Sequence, residues 1–212
     1  MNLENKLKKL SNIIFIEIKK KVLLKKKINV ILTGGRTALK LYFFLNKKIK
    51  NIDLKKVNFW ITDERLDCKN KRELNYFSVK RILFNKINDK YYNFLNILSD
   101  YSNLSDSINK YEIFFPIKFD LMIVTLGDDG HVASLFPNAI QKSISKNFIK
   151  VYIKSNKYKR RVSIKKKLFK QSNKIFVLCF GRKKKNMYTM LIKNNFNNKL
   201  PADSLKNANW YF

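Results

Sequence analysis

The spacing of apolar residues along the chain predicts an alternation of helices and strands. At the N-terminus, apolar residues recur every three to four positions, which places them on one stripe of a helix; they are Leu3, Leu7, Leu10, Ile14, Ile18 and Val22. Further helices are predicted over residues 37–45, 76–84, 104–114 and 184–193. Short apolar runs predict strands over residues 28–32, 57–62, 94–98, 119–126, 149–153, 161–164, 174–180 and 208–212.

The order of these elements predicts an α/β fold with one Rossmann-like domain over residues 1–212. Strands that alternate with helices form a mainly parallel sheet flanked by helices, with right-handed crossovers. Residues 119–126 are nearly all apolar, as expected of a central strand that is buried on both faces. In such sheets ligands bind beyond the carboxyl ends of the strands, so the segments that follow strands are the places to look for chemistry.

Composition restricts the class of protein without identifying a function. The hydrophobic fraction of 45% is enough for a sizeable core. Two cysteines, Cys68 and Cys179, are too few for a disulfide scaffold and predict reduced thiols. No apolar run reaches the length of about 18 residues that a transmembrane helix needs, and the N-terminus lacks the pattern of a signal peptide. These features predict a cytoplasmic protein with no membrane partner.

The formal net charge of +31 raises the question of a nucleic-acid partner. Specific recognition of bases and phosphates favours Arg over Lys because the guanidinium bonds two acceptors at once. Only seven of the 46 basic residues are Arg, and the Lys residues are spread along the whole chain with Asn, Ile, Phe and Tyr. AT-rich codons are a sufficient cause of that mixture. We therefore predict no specific nucleic-acid partner, although the charge would attract any anionic substrate.

The first strand-end segment of interest is Thr33-Gly34-Gly35-Arg36-Thr37, between a predicted strand and a predicted helix. Its glycines let the backbone approach a ligand, and the helix that follows offers N–H groups to a phosphate. Arg36 adds a cation and Thr37 a hydroxyl. The alternative is a tight turn in which Thr37 caps the helix, and this segment alone does not decide between the two.

Charged residues also follow the second strand, in Thr62-Asp63-Glu64-Arg65. Asp63 is a candidate base or a residue that orients one, and Arg65 is a candidate anion ligand. The alternative interpretation is a surface ion pair that contributes little to stability.

The most informative segment is Gly127-Asp128-Asp129-Gly130-His131-Val132-Ala133-Ser134-Leu135-Phe136-Pro137, which follows the most apolar strand. It contains the only histidine of the chain, and histidine is the residue type whose ordinary pKa lies near neutrality. Asp129, two residues before His131, is placed to fix the imidazole tautomer. A lone histidine is more often structural, but its position after a buried strand and beside two carboxylates favours a functional site.

Two further cations lie near strand ends in the C-terminal part. Arg161 begins a predicted strand, and Lys184 lies in Gly181-Arg182-Lys183-Lys184 before a predicted helix. Either is a candidate phosphate ligand. In a chain this rich in Lys, the local sequence does not separate Lys184 from Lys183 or Lys185.

Taken in order, these segments resemble the 6-phosphogluconolactonase family, within a superfamily shared with glucosamine-6-phosphate deaminases. The similar segments are residues 33–37, residues 63–65 with Leu74-Asn75, residues 125–137, residues 161–163, residues 181–184 and Leu200-Pro201-Ala202. The third of these is the most specific. Four positions depart from the family pattern: Arg36 replaces Ser, Ala38 replaces Pro, Leu74 replaces Ser and Thr125 replaces Gly.

The resemblance implies hydrolysis of a small anionic sugar-phosphate lactone, 6-phosphogluconolactone, in the pentose phosphate pathway, with no metal and no cofactor. It implies that His131 is the general base, that Asp129 orients it, that Arg65 stabilises the oxyanion and that Asp63 shapes the sugar site. The residues implied to bind the phosphate are Gly34, Gly35, Arg36, Thr37, Arg161 and Lys184. The expected assembly is a monomer or a weak homo-oligomer.

Two alternative functions remain open at this point. Deaminases of the superfamily resemble Asp-Gly-His-x-Ala-Phe-Asn-Glu-Pro in the third segment, where the Glu assists ring opening. Residues 134–137 of this chain contain no carboxylate, which favours the lactonase. The other alternative is a basic nucleic-acid-binding protein, whose affinity would fall steeply with salt.

Overall fold

Helices and strands alternate along most of the chain in a computed structural model, which describes residues 2–24, 27–98, 103–154, 156–197 and 199–212. The helices are α1 (Leu3–Leu24), α2 (Arg36–Ile49), α3 (Asn75–Leu83), α4 (Leu104–Phe114) and α5 (Arg182–Lys193). The strands are β1 (Ile28–Leu32), β2 (Val57–Ile61), β3 (Asp63–Arg65), β4 (Asn93–Phe94), β5 (Leu121–Thr125), β6 (Ile140–Ser143), β7 (Phe148–Tyr152), β8 (Arg160–Ile164), β9 (Ile175–Leu178) and β10 (Asn209–Tyr211).

A six-stranded sheet in the order β10-β9-β5-β1-β2-β4 forms the centre of the molecule. All of its described pairings are parallel, which confirms the predicted mainly parallel α/β fold. The central strand β5 has four successive buried residues, from Leu121 to Val124. This burial explains the nearly continuous apolar run that the sequence shows at this point.

Five of the six residues of the predicted apolar stripe of α1 face the interior, whereas Leu3, in the first turn, is exposed. Leu7, Leu10, Ile14, Ile18 and Val22 are all buried, while the intervening Lys residues are mostly exposed. α1 packs on α2, and α2 packs on α3. None of the described helices is long and apolar enough to cross a membrane.

A second sheet has four antiparallel strands in the order β3-β8-β7-β6. The sequence predicted β7 and β8 as strands but not their antiparallel pairing. Thr62 joins the two sheets, because its N–H donates to Leu32 O of β1 at 2.9 Å and its carbonyl accepts from Ile164 N of β8 at 2.9 Å. The residue that follows, Asp63, therefore lies where the two sheets meet.

The structure differs from the predicted elements at three places. The strand predicted over 94–98 is only Asn93–Phe94, because the Asn96 side chain accepts a hydrogen bond from Leu98 N and turns the backbone. Asp63–Arg65 is a strand although all three residues are charged. Ile140–Ser143 is an edge strand whose residues are all exposed, so it carries no alternation of apolar and polar positions.

Candidate active site

A cleft of about 900 Å³ lies beyond the carboxyl ends of the parallel strands. β9, β5 and β1 are neighbours in the sheet, so the segments that follow these three strands lie side by side. All ten predicted site residues line this cleft, namely Gly34, Gly35, Arg36, Thr37, Asp63, Arg65, Asp129, His131, Arg161 and Lys184. Residues that are far apart in the sequence are thus brought to one place.

The segment after β1 turns directly into helix α2. Gly35 is the residue before the helix and has φ 97°, in the left-handed region that favours glycine. No side chain caps this helix, so Thr37 does not act as the cap. The first N–H groups of α2 therefore lie at the cleft, where an anion is stabilised by the N–H groups and the helix dipole.

Position 34 has no room for a side chain, because Asn75 lies directly against the glycine. A Cβ atom at position 34 would lie 1.9 Å from Asn75 Oδ1. Asn75 begins α3, lines the cleft and donates from Nδ2 to the carbonyl of Asp63 at 2.8 Å. The turn after β1 and the segment after β2 are therefore in contact through Asn75, which was not among the predicted site residues.

The segment after β9 repeats the geometry of the segment after β1. Gly181 precedes α5 with φ 105° and no side-chain cap. Lys184 is partly buried in the cleft, whereas Lys183 and Lys185 are exposed. Burial lowers the pKa of Lys184, and Asp128 opposes this effect. Lys183 also lines the cleft, so it is burial that distinguishes Lys184 from Lys183, a difference that the sequence does not show.

His131 and Asp129 form a hydrogen-bonded pair at the cleft. His131 Nδ1 lies 2.5 Å from Asp129 Oδ1, and the backbone N–H of His131 donates to the same oxygen at 3.1 Å. Burial raises the pKa of Asp129, but the hydrogen bond and charge of His131 lower it by more, so the pKa lies below its usual value. An ionised Asp129 holds the proton of the imidazole on Nδ1 and leaves Nε2 for proton exchange.

The imidazole is held from two further sides. A Cβ atom at Gly127 would lie 2.0 Å from His131 Nδ1, so the ring packs directly on the backbone of residue 127. On another side the Phe136 ring stacks on the imidazole, with 4.1 Å between centroids. The same Phe136 ring lies 5.2 Å from the guanidinium carbon of Arg161.

Asp63 is buried, and both of its carboxylate oxygens accept hydrogen bonds. Thr62 Oγ1 donates to Oδ1 at 2.7 Å and Ser134 Oγ donates to Oδ2 at 2.6 Å. Arg161 is also buried; it donates from Nη2 to Asn156 Oδ1 at 2.8 Å and from Nε to the carbonyl of Tyr158 at 3.2 Å. Asn156 lines the cleft, and no feature of its local sequence indicated a role.

Arg65 lies at the cleft with part of its guanidinium already in use. Nη1 donates to the carbonyl of Glu73, and the guanidinium carbon lies 5.8 Å from the centre of the Tyr158 ring. Tyr158 and Lys157 in turn bind the Glu73 carboxylate. These contacts fix the position of Arg65, and its role as an oxyanion ligand stays a prediction.

The chain matches the family model described as glucosamine-6-phosphate isomerases/6-phosphogluconolactonase over residues 3–211. This is nearly its whole length. The chain belongs to this family. Among curated members, the 6-phosphogluconolactonase of Borreliella burgdorferi is 30% identical over 185 residues, which cover 82% of this chain and 77% of the relative. The 6-phosphogluconolactonase of Thermotoga maritima is 28% identical over 182 residues, covering 84% and 79% respectively.

Solved structures show that the lactonases and deaminases of the family share this fold. A 6-phosphogluconolactonase from Shewanella baltica has a TM-score of 0.82 at 20% identity, over 99% of this chain and 94% of that chain. A monomeric glucosamine-6-phosphate deaminase has a TM-score of 0.78 at 17% identity, over 99% and 92%. The fold alone therefore does not separate the two reactions, and the residues of the site must do so.

The departures from the family pattern have different surroundings. Arg36 is exposed at the start of α2 and lines the cleft, so it does not crowd the turn. Ala38 and Leu74 are buried. Thr125 lines the cleft, and among the described residues its hydroxyl has no hydrogen-bond partner. No described group of three or more His, Cys, Asp and Glu residues is arranged to hold a metal ion.

Glu64, between Asp63 and Arg65, binds the start of α3 and does not line the cleft. It is fully buried, and its carboxylate accepts from Asn75 N at 2.7 Å and Tyr76 N at 2.8 Å, at the start of α3. Burial raises its pKa from 4.5 to about 7, against hydrogen bonds from the backbone of Tyr76, Asn75 and Arg65. Glu64 thereby holds the helix that carries Asn75.

This raised pKa predicts how the contribution of Glu64 to stability depends on pH. The folded protein binds the proton more tightly than the unfolded chain, so the contribution is complete below pH 4.5 and is lost as the pH rises to about 7. The full change is on the order of 3 kcal/mol. Urea unfolding of the wild type and Glu64→Gln at pH 4.5, 6 and 8 measures it.

Gln does not titrate. The difference in the free energy of unfolding between the wild type and Glu64→Gln should therefore become smaller as the pH rises. The variant also loses an acceptor for Tyr76 N, which lowers its stability at every pH. A difference that stays constant from pH 4.5 to pH 8 would contradict the raised pKa.

Proposed function

We propose that this chain is a 6-phosphogluconolactonase, which opens the ring of 6-phosphogluconolactone with water to give 6-phosphogluconate. The observation that carries the proposal is the Asp129–His131 pair, at 2.5 Å, in a cleft that is also lined by Arg36, Arg161 and Lys184. A group that exchanges protons and a set of cations are what hydrolysis of an anionic lactone needs. Membership of the family and the 6-phosphogluconolactonase relatives support the same reaction.

In the proposed mechanism His131 activates water. Nε2 of His131 takes a proton from the water while the water oxygen bonds to the carbonyl carbon of the lactone. The π electrons of the carbonyl bond move onto the carbonyl oxygen. The tetrahedral intermediate then collapses, the bond from the carbonyl carbon to the ring oxygen breaks, and His131 returns the proton to that oxygen. The new carboxylic acid loses its own proton to solvent. No cofactor takes part in these steps.

Asp129 supports His131 in both steps. Its ionised carboxylate fixes the tautomer and stabilises the imidazolium that forms after the first proton transfer. Asp63 does not supply a second base in this proposal, since both of its oxygens accept hydrogen bonds from neighbouring hydroxyl groups. We assign it instead to shaping the sugar side of the site.

The phosphate of the substrate is proposed to bind the cations and the helix starts at the cleft. The proposed ligands are Gly34, Gly35, Arg36, Thr37, Arg161 and Lys184, all of which line the cleft. Arg65 is proposed to stabilise the oxyanion together with backbone N–H groups. The protein is proposed to act as one domain and as a monomer or weak homo-oligomer.

Deamination of glucosamine 6-phosphate is the competing reaction on this fold. The segment Ser134-Leu135-Phe136-Pro137 has no carboxylate to assist ring opening. Ser134, Leu135 and Phe136 are buried there, and Phe136 stacks on His131 instead. The site therefore favours the lactonase.

A direct assay tests the proposed function. Purified protein is given 6-phosphogluconolactone, and the spontaneous opening of the lactone is subtracted; glucosamine 6-phosphate is assayed in parallel for ammonia. We expect lactone turnover only, with kcat/KM falling as salt is added, because salt screens the attraction between the substrate and a chain of net charge +31. Ammonia release, or no turnover above the background, would overturn the proposal.

Lys184→Met is expected to raise KM for the lactone about 10- to 100-fold with a smaller change in kcat, because a charged hydrogen bond to the phosphate is lost. Lys185→Met is the matched control, since Lys185 is exposed and is not among the residues that line the cleft. Steady-state kinetics of both variants measure the effect. Equal increases of KM in the two variants would show that general charge, not Lys184, binds the phosphate.

A further inference from the structure

The tip of the His131 loop is anchored in the antiparallel sheet by one serine. Val132 and Leu135 bond to each other through N–H and carbonyl groups in both directions, at 3.3 and 3.0 Å. This closes a tight turn with Ala133 and Ser134 at its tip, and Ala133 has φ 55°. Such a turn holds its tip residues in fixed directions, since a non-glycine residue with positive φ persists only where the surroundings enforce it.

Ser134 lies between two residues that face each other across β3 and β8. Asp63 and Ser163 are direct partners in that pairing. The Ser134 hydroxyl donates to Asp63 Oδ2 at 2.6 Å, and its backbone N–H donates to Ser163 Oγ at 3.3 Å. Asp63, Ser134 and Ser163 are all buried. The hydrogen bond from a hydroxyl to a buried carboxylate is of the strong, charge-assisted kind.

The same hydroxyl faces Arg161. Because the Ser134 proton points to Asp63, the lone pairs of Oγ are available to Arg161 Nη1, which lies 3.4 Å away. Two residues further along the loop, Phe136 contacts both functional groups, stacking on His131 and lying under the guanidinium of Arg161. Ser134 thus links the loop of His131 to the strand of Arg161 through a side-chain hydrogen bond.

We propose that Ser134 is a positioning residue that sets the distance between His131 and Arg161. Its bond to Asp63 fixes the loop against the antiparallel sheet, and its lone pairs orient the guanidinium. The proton-transfer group and the substrate-binding cation are thereby held at a spacing that suits one substrate. The kinetic part of this inference rests on the proposed lactonase function.

Ser134→Ala tests the proposal kinetically. Displacement of reacting groups by about 1 Å can cost on the order of 100-fold in rate, so we expect kcat/KM to fall about 30- to 100-fold, with kcat lower and KM higher. Both kcat and KM change, because the proton-transfer residue His131 and the substrate-binding residue Arg161 lose the contact that positions them. A serine with a merely structural role would reduce only the folded fraction, which lowers the apparent kcat and leaves KM unchanged.

Ser11→Ala is the matched control. Ser11 is also fully buried and its hydroxyl donates to the carbonyl of Lys8 at 2.7 Å, but it lies in α1 and is not among the residues lining the cleft. We expect wild-type kcat and KM for this variant. Asp63→Asn and the double variant with Ser134→Ala complete the set: if both residues act through the same bond, the double variant loses no more activity than the worse single variant.

A second measurement does not depend on activity. The chain has one histidine, so its imidazole C–H signals in a proton NMR spectrum need no assignment, and stacking on Phe136 shifts them upfield. We expect this shift to be reduced in Ser134→Ala and retained in Ser11→Ala. If the wild type does not hydrolyse the lactone, the proposed function fails while the NMR shift still tests the positioning. If Ser134→Ala keeps the shift, or keeps wild-type kcat and KM, the inference is wrong.

Discussion

Replacing His131 with alanine is expected to lower kcat for the lactone about 10³-fold, within the range that general acid–base catalysis contributes. KM should change little, because the cations that are proposed to bind the phosphate stay in place. The fold should also persist, since the side chain of His131 is 30% exposed and its removal leaves no cavity in the core. Steady-state kinetics with subtraction of the spontaneous opening measure the loss.

Imidazole in the buffer provides the control for this variant. If the missing function is proton transfer, added imidazole should restore part of the activity of His131→Ala and should not accelerate the wild type. A far-ultraviolet circular dichroism spectrum checks the fold. Wild-type kcat in a folded His131→Ala protein would show that another group activates the water.

Gly127→Ala is expected to lower kcat by about 100-fold or more, although the substitution adds a single methyl group. The new Cβ would lie 2.0 Å from His131 Nδ1 and 2.3 Å from Cε1. The imidazole must then move, and it loses its 2.5 Å contact with Asp129; a displacement of about 1 Å is enough for a loss of this size. Gly127 does not have a positive φ, so backbone strain is not the cause.

The double variant Gly127→Ala/His131→Ala separates the clash from other effects of the methyl group. Without the imidazole ring there is nothing at 2.0 Å to displace, so its stability should exceed that of Gly127→Ala and its kcat should equal that of His131→Ala. Full activity of Gly127→Ala would mean that the ring does not pack on this backbone.

The sequence could predict that the candidate site residues lie together, because this follows from the topology. Polar and glycine-containing segments after β1, β5 and β9 lie together in any parallel sheet with these strands as neighbours. The lactonase assignment also had a local signal, the absence of a carboxylate in Ser134-Leu135-Phe136-Pro137. Both predictions need only short stretches of chain and one general rule.

What the sequence did not predict depends on contacts between distant residues. The bond from Ser134 to Asp63 spans 71 positions, and the contact of Gly34 with Asn75 depends on how α3 is placed against the turn. The antiparallel sheet was missed because Asp63–Arg65 and Ile140–Ser143 are not apolar strands. The pairing of such strands comes from their neighbours, which hydrophobic periodicity does not show.

The two helices that begin at the cleft show which part of the site does not depend on side chains. Gly35 and Gly181 have almost the same backbone conformation, with φ of 97° and 105° and ψ of 153° at both. Main-chain N–H groups at a helix start can bind a ligand whatever the side chains of these residues are. The side chain at the start of α2 can therefore differ from the family pattern, as Arg36 does, while the backbone N–H donors stay in place. The chain has five glycines in all, and each of them lies in a segment that follows β1, β5 or β9.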